Sequence, residues 1–312
     1  MNEEGSLFDV PPAAIGRYRV RQPLGAGTTG PAFHAETPGT LESVAIKLFK
    51  VDLSPVAAHE LAQSLTLLID QTPEHDALVV PLDAGLDEIE AYFVTRLVDG
   101  TSLDAALRDF GPAAIEDLVP RLKSLAGALD AAHHVGLVHG ALHPRDILVS
   151  PEETHVTGLG VAPALACAGA PSSIRRPYGA PELADGEGVP TGESDQFSLA
   201  AIAFEWMFGR RISGPAERPI EVRALPGVDR EALADAFTTA LAPEPDARFE
   251  TCAAFCNAIE SAMSGDALVV VDDPSEDVEE AFPLHPALPV AGSLLYEPED
   301  SPLHEPEEDE FP

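Results

Sequence analysis

Two changes of hydrophobic period predict an α+β fold in which a strand-rich part precedes a helix-rich one. Apolar residues alternate from Arg17 to about Phe49, and the alternation returns at 78–84 and 91–98. From about Ser102 the period becomes helical, and residues 194–208 are apolar nearly all round, which suits a helix buried in the centre of a lobe.

Residues 1–15 read as a short polar leader. R-Y-R-V-R-Q-P-L then alternates, Gly25 to Gly30 turn the chain, and P-A-F-H-A and S-V-A-I-K-L-F-K alternate again. A helix follows over 54–70, with Ser54 as N-cap and Pro55 at the first position, where a missing N–H leaves nothing unpaired. L-D-A-A-L-R-D-F is a second helix. The longer pattern at 115–134 carries Pro120, which should bend that helix or mark its true start. Two further helices fit near 229–241 and 250–263. After Gly265 the composition turns to Asp, Glu and Pro, and no Lys or Arg follows Arg248. Residues 264–312 therefore read as an acidic, Pro-rich disordered tail, with A-L-V-V-V-D-D as a candidate short strand.

The chain has 312 residues, with 18 basic and 53 acidic side chains, for a formal net charge of −35. Such a field repels nucleic acid and anionic membranes, so no nucleic-acid partner is expected. A basic protein partner suits it; the plainer account is solubility, or adaptation to a salty or acidic environment. No apolar run approaches the roughly 20 residues of a membrane span, and M-N-E-E-G-S lacks the apolar stretch of a signal peptide. Cys167, Cys252 and Cys256 are sparse and odd in number, which points to a reducing, cytoplasmic compartment. Cys252 and Cys256, four apart on one helical face, read as small core residues, with a redox or metal pair as the alternative.

The most specific stretch is V-H-G-A-L-H-P-R-D-I-L-V, residues 138–149. Ahead of it lie L-G-A-G-T-T-G (24–30), V-A-I-K (44–47), F-V-T-R-L-V-D-G-T-S-L (93–103) and A-H-H-V-G-L-V-H (132–139). Behind it lie Y-G-A-P-E (178–182), S-D-Q-F-S-L (194–199), the pair Gly209 and Arg210, and the run from Pro245 to Phe249. In order and spacing this set resembles the bacterial Ser/Thr protein kinases of eukaryotic type, over about residues 16–263. The Gly-rich stretch falls between strands rather than opening a helix, which is the kinase context.

The resemblance implies a bilobal protein-kinase-like fold, with a small β-rich N-lobe (about 16–98) and a larger helical C-lobe (about 99–263). It implies ATP as the nucleotide, held by Leu24, Gly25, Ala26, Gly27, Thr28, Gly30, Ala45, Lys47, Glu60 and Thr95. Glu60 would pair with Lys47, and Thr95 would be the gatekeeper. It implies that Glu182 and Arg248 form the buried ion pair of the helical lobe, and that Asp195 braces the catalytic-loop backbone.

At the chemical positions the chain departs from the family. Where the family has H-R-D-x-K-P-x-N, this chain has Gly140 for the Arg, Ala141 for the base Asp, His143 for the Lys and Asp146 for the Asn. D-F-G is G-L-G here, so Gly158 replaces the carboxylate that holds the main Mg²⁺. Arg175 stands where the family has a threonine that hydrogen-bonds the catalytic loop. Phosphoryl transfer depends on positioned phosphates, metal ions and a group orienting the attacking hydroxyl. Ala141 offers no proton acceptor and Gly158 no side-chain ligand, which argues against Mg²⁺ or Mn²⁺; Asp146 is the one carboxylate left for a metal. The expected function is a pseudokinase, a signalling scaffold or allosteric partner of a client or an active kinase, with weak ATP binding. The alternative is a weak or unconventional kinase that transfers phosphoryl or nucleotidyl groups using Asp146. Ser172 and Ser173 read as polar filler, with phosphorylation by another kinase as the alternative. His133, His134, His139 and His143 fit no common zinc spacing.

Overall fold

The computed structural model describes residues 11–263, apart from 171–174, 187 and 213. The tail, the candidate strand within it, and Ser172 and Ser173 lie outside the described residues.

The first lobe is an antiparallel sheet of β1 (Ala14–Ile15), β2 (Tyr18–Gly27), β3 (Gly30–Glu36), β4 (Ser43–Leu48), β5 (Pro81–Asp87) and β6 (Glu90–Arg96). Their order is β1-β2-β3-β4-β6-β5. β1 falls within the stretch read as leader: Ala14 pairs with Arg19, and Ile15 is fully buried. A two-residue strand is too short to show a period, so nothing in the pattern betrayed it. In β4, Val44, Ile46 and Leu48 enter the core with Ile15, Tyr18, Phe33 and Val94, which turns Ala45 and Lys47 to the other face. The register sets Ala45 opposite Thr95 and Lys47 opposite Phe93.

Helix α1 (Pro55–Gln71) starts where its sequence says, since the Ser54 hydroxyl accepts from Ala57 N at 3.2 Å. Ala58, Leu61, Ala62, Leu65 and Leu68 form its buried stripe. That stripe meets Phe93 of β6 and Phe49 just after β4, and also Ala164 and Leu165 of a helix that the sequence does not signal. This helix, α4 (Val161–Cys167), is seven residues long, begins immediately after G-L-G, and contains Pro163. It is too short for a period to declare itself. Gly160 opens it at φ 75°, and a Cβ there would lie 2.6 Å from Leu68 Cδ2, so only glycine permits the contact.

The second lobe holds α2 (Leu103–Phe110), α3 (Ile115–His134), α5 (Gly192–Phe208), α6 (Arg230–Ala240) and α7 (Cys252–Met263). A small antiparallel sheet joins β7 (Thr101–Ser102), β8 (Ile147–Val149) and β9 (Thr154–Val156). Pro120 lies inside α3 and does not mark its start. It sits on the exposed side with Glu116, whose carbonyl has no N–H donor from position 120. α5 is the centre of the lobe. The Thr191–Ser194 capping box fixes its start, and every residue from Ser194 to Met207, Trp206 included, is buried. Phe204, Phe237 and Phe255 stack edge to face against and beyond it, with centroids 5.3 and 5.7 Å apart.

Cys252 and Cys256 are buried in this core, and burial pushes both thiols up, Cys256 to about 12. Asp130 of α3 caps α7, accepting from Cys252 N and Ala253 N at 2.9 Å each. Asp130, His133 and Cys252 stand close enough to share a metal ion, but the carboxylate is engaged by that cap and His133 Nε2 bonds Asp195 at 3.0 Å.

Candidate functional site

The residues assigned to phosphate chemistry converge between the sheet and the loop that precedes β8. A frame of buried polar groups holds that loop. The Asp195 carboxylate, 1% exposed, accepts from His139 N at 2.7 Å and from Gly140 N at 2.8 Å. His139, itself buried, contacts Thr157 O through Nε2 at 2.9 Å, and its Nδ1 accepts from Ala141 N at 3.4 Å. The Asp146 carbonyl accepts from Thr157 N at 2.8 Å, tying the loop to the strand that leads into Gly158. Arg248 and Glu182 form the expected pair, both bonds 2.8 Å, with the Arg248 side chain fully buried. The carbonyls of Ala242, Glu193 and Pro243 take the other guanidinium donors, and Phe197 lies beneath the plane at 5.0 Å.

The chemical positions look different. Ala141 presents a methyl group where a proton acceptor would stand. His143 does not supply a positive charge in place of lysine. Its Nδ1 accepts from Arg145 N at 3.0 Å, its ring packs edge-on to Tyr178 at 4.8 Å, and burial pushes its pKa below the ordinary 6.5. Asp146 faces Arg175, whose Nη1 donates to Oδ2 at 2.7 Å. In the sequence Arg175 stands only as the replacement of a threonine that hydrogen-bonds the catalytic loop. Asp146 lies 29 residues earlier in the chain, so no local pattern encodes this contact.

These donors do not fit a divalent metal of the Mg²⁺ kind. Such a hard cation needs carboxylates, water and phosphate oxygens. Gly158 brings none, and the carboxylate of Asp146 is already matched to a guanidinium.

The nucleotide positions divide into two groups. Ala45, Lys47 and Thr95 are half-buried on one face of the sheet, and Leu24 to Thr28 run exposed along β2 into the β2–β3 turn. Glycine is needed at Gly30, where φ is 131° and a Cβ would lie 2.1 Å from the Leu48 carbonyl oxygen; at Gly27 a Cβ would press only on the movable end of Lys47. The Lys47 ammonium donates to the Gly30 carbonyl.

Glu60 departs from expectation. It is exposed, and among the described residues it forms no ion pair with Lys47. The inward position at that level of α1 is Leu61, fully buried against the α4 cluster. One residue is about 100° of helix rotation, enough to turn the acid to solvent.

Burial brings Lys47 down from its ordinary 10.5 to about 8; Arg175 pushes the same way and Asp146 opposes. The folded chain thus binds this proton less tightly than the unfolded chain. Between about pH 8 and 10.5 the unfolded state keeps a proton that the folded state has lost, so stability rises with pH across that window. Denaturant titrations should show the wild type gaining on Lys47→Met from pH 8 to 10.5; parallel curves would contradict the burial of this charge.

Comparison with known proteins bears on this geometry. The family profile described as protein kinase domain matches residues 18–256. The Ser/Thr-protein kinase PknH of Mycobacterium tuberculosis (strain ATCC 25618 / H37Rv) is 27% identical over 296 residues, covering 88% of this chain and 44% of that protein. The Ser/Thr-protein kinase pkn2 of Myxococcus xanthus is 32% identical over 218 residues, 65% of this chain and 26% of that protein. The chain spans less than half the length of these relatives. The crystal structure of the M. tuberculosis PknI kinase domain aligns with a TM-score of 0.60 at 24% identity, covering 80% of this chain and 97% of that one. This likeness shows the fold: a β-sheet N-lobe over a helical C-lobe. Among the described residues, no helix is long and apolar enough to cross a membrane.

Proposed function

Because this chain belongs to the protein kinase domain family, we propose that it is a member that no longer transfers phosphate and acts by binding, as a pseudokinase whose nucleotide site sets the surface presented to a protein partner. One observation carries the reading: Ala141, His143 and Gly158 replace three groups of the transfer machinery, while Glu182, Asp195 and Arg248 keep the frame around them. A positioned acid or base is worth about 10²–10⁴ in rate, and its loss compounds that of a metal carboxylate and a phosphate cation. The partner is a protein, a client or an active kinase, and the charge of −35 favours a basic one. We place the kinase-fold domain at about 16–263, with β1 (Ala14–Ile15) pairing onto its edge, and the residues after it as an acidic tail. Free, sparse cysteines support a reducing, cytoplasmic setting.

A weak kinase using Asp146 for metal is the second reading, favoured by the presence of that carboxylate in the cleft. Transfer of label from γ-phosphate-labelled ATP, to the chain itself or to a generic basic protein, separates the two. The pseudokinase reading predicts incorporation equal to that of Lys47→Met. Incorporation above that control, abolished by Asp146→Ala, would establish the weak kinase instead.

A further inference from the structure

We propose that Arg175 stands in for the divalent cation of this cleft, so that the site takes the polyphosphate of a nucleotide without metal. This deepens, and rests on, the nucleotide-binding part of the function proposed above.

The first observation is the position of the guanidinium. Arg175 Nη1 lies 2.7 Å from Oδ2 of Asp146, the carboxylate at a position the kinase pattern gives to a metal ligand. A cation is already built into that place, supplied by the chain itself. The second is an orphan donor. Arg175 Nε is buried and has no hydrogen-bond partner among the described residues. A buried polar group without a partner carries a desolvation cost that an incoming acceptor removes. Asp146 takes Nη1 of the guanidinium, and Nε is left without an acceptor among the described residues.

The third observation is the charge balance of the cleft. Lys47 and Arg175 face one carboxylate, Asp146, and lie close enough that Arg175 weakens the hold of Lys47 on its proton. Burial lowers the pKa of His143 beside them. Nothing at Gly158 adds negative charge. Two cations against one anion leave a positive surplus in a protein whose overall charge is −35. Phosphate oxygens are the acceptors that match both a lysine point charge and the planar fork of an arginine. Metal-free ATP carries more negative charge than its magnesium complex, and so complements this surplus better. Added Mg²⁺ would compete with Arg175 for Asp146 instead of completing the site.

Nucleotide binding should therefore reverse the usual metal dependence. The test is a titration of the full chain with ATP, followed by thermal shift and by calorimetry, in EDTA and in excess Mg²⁺. It is run on the wild type, Arg175→Met and Arg175→Lys. The wild type should bind ATP in EDTA at least as tightly as in Mg²⁺. Arg175→Met should weaken binding in EDTA by about tenfold or more, the loss of one charge-assisted contact. Arg175→Lys, which keeps the charge but not the fork, should fall between them, and it serves if Arg175→Met does not fold. Binding that appears only with Mg²⁺ overturns the assignment of Arg175 and leaves the nucleotide site standing. Binding in EDTA that neither substitution alters overturns it too. No binding of ATP to the wild type under either condition overturns the assignment and the nucleotide site together.

Discussion

Arg248→Met lowers the stability of the domain by about 3–5 kcal/mol, the range expected when one half of a buried ion pair is removed. The Arg248 side chain is fully buried, and all five of its donors are used: two on the Glu182 carboxylate, and one each on the carbonyls of Ala242, Glu193 and Pro243. Its loss leaves Glu182 without its counter-ion and three carbonyls short of a donor, and removes the cation from the face of Phe197. Arg248→Lys restores a charge but not the planar fork, and should recover only part of the loss. The measurement is the denaturant midpoint of each variant. A loss below about 1 kcal/mol, the range of exposed ion pairs, would contradict this view of the C-lobe.

Asp195→Ala is the second large effect. The carboxylate accepts from His139 N, Gly140 N and His133 Nε2, and it is itself 1% exposed. Each buried donor left unpaired costs roughly 1–3 kcal/mol, so the substitution should cost several kcal/mol in all. The effect is also local. Amide exchange at His139, Gly140 and Ala141 should rise well above that of α5, because the loop loses its brace while the helix keeps its packing. Asp195→Asn retains one acceptor and should fall in between. Unchanged exchange at these three amides would show that the loop is held by something other than Asp195. The brace matters whether or not phosphate is transferred, because Asp195 holds the loop at His139 and Gly140.

What the chain discloses before folding follows from how local each signal is. The start of α1 was legible because Ser54 and Pro55 act on their immediate neighbours, and Ser54 does cap Ala57. The burial of α5 was legible because a helix apolar on every side has only one stable environment. Glu182, Asp195 and Arg248 were legible from motif order, although their partners lie up to 66 residues away.

The rest required three dimensions. Which side of α1 faces Lys47 depends on helix phase, and a shift of one residue exchanges Glu60 for Leu61. α4 is seven residues of small and aliphatic side chains around a proline, so only its packing on Leu61, Leu65 and Leu68 reveals it. That packing gives the exposed Glu60 a physical cause: the inner face of α1 is occupied by α4. Arg175 read as a lost threonine, and only the fold brings it to Asp146. Sequence therefore marked the replaced residues at the family's chemical positions, whereas the structure supplied the partners those residues meet.

The most direct test of the central claim is the intact mass of the purified full chain after prolonged incubation with ATP and Mn²⁺, beside Lys47→Met. The account predicts the same unmodified mass for both. A gain of one or more phosphates in the wild type alone, or a gain matching AMP, would show that this cleft still transfers a group from ATP and would contradict the account.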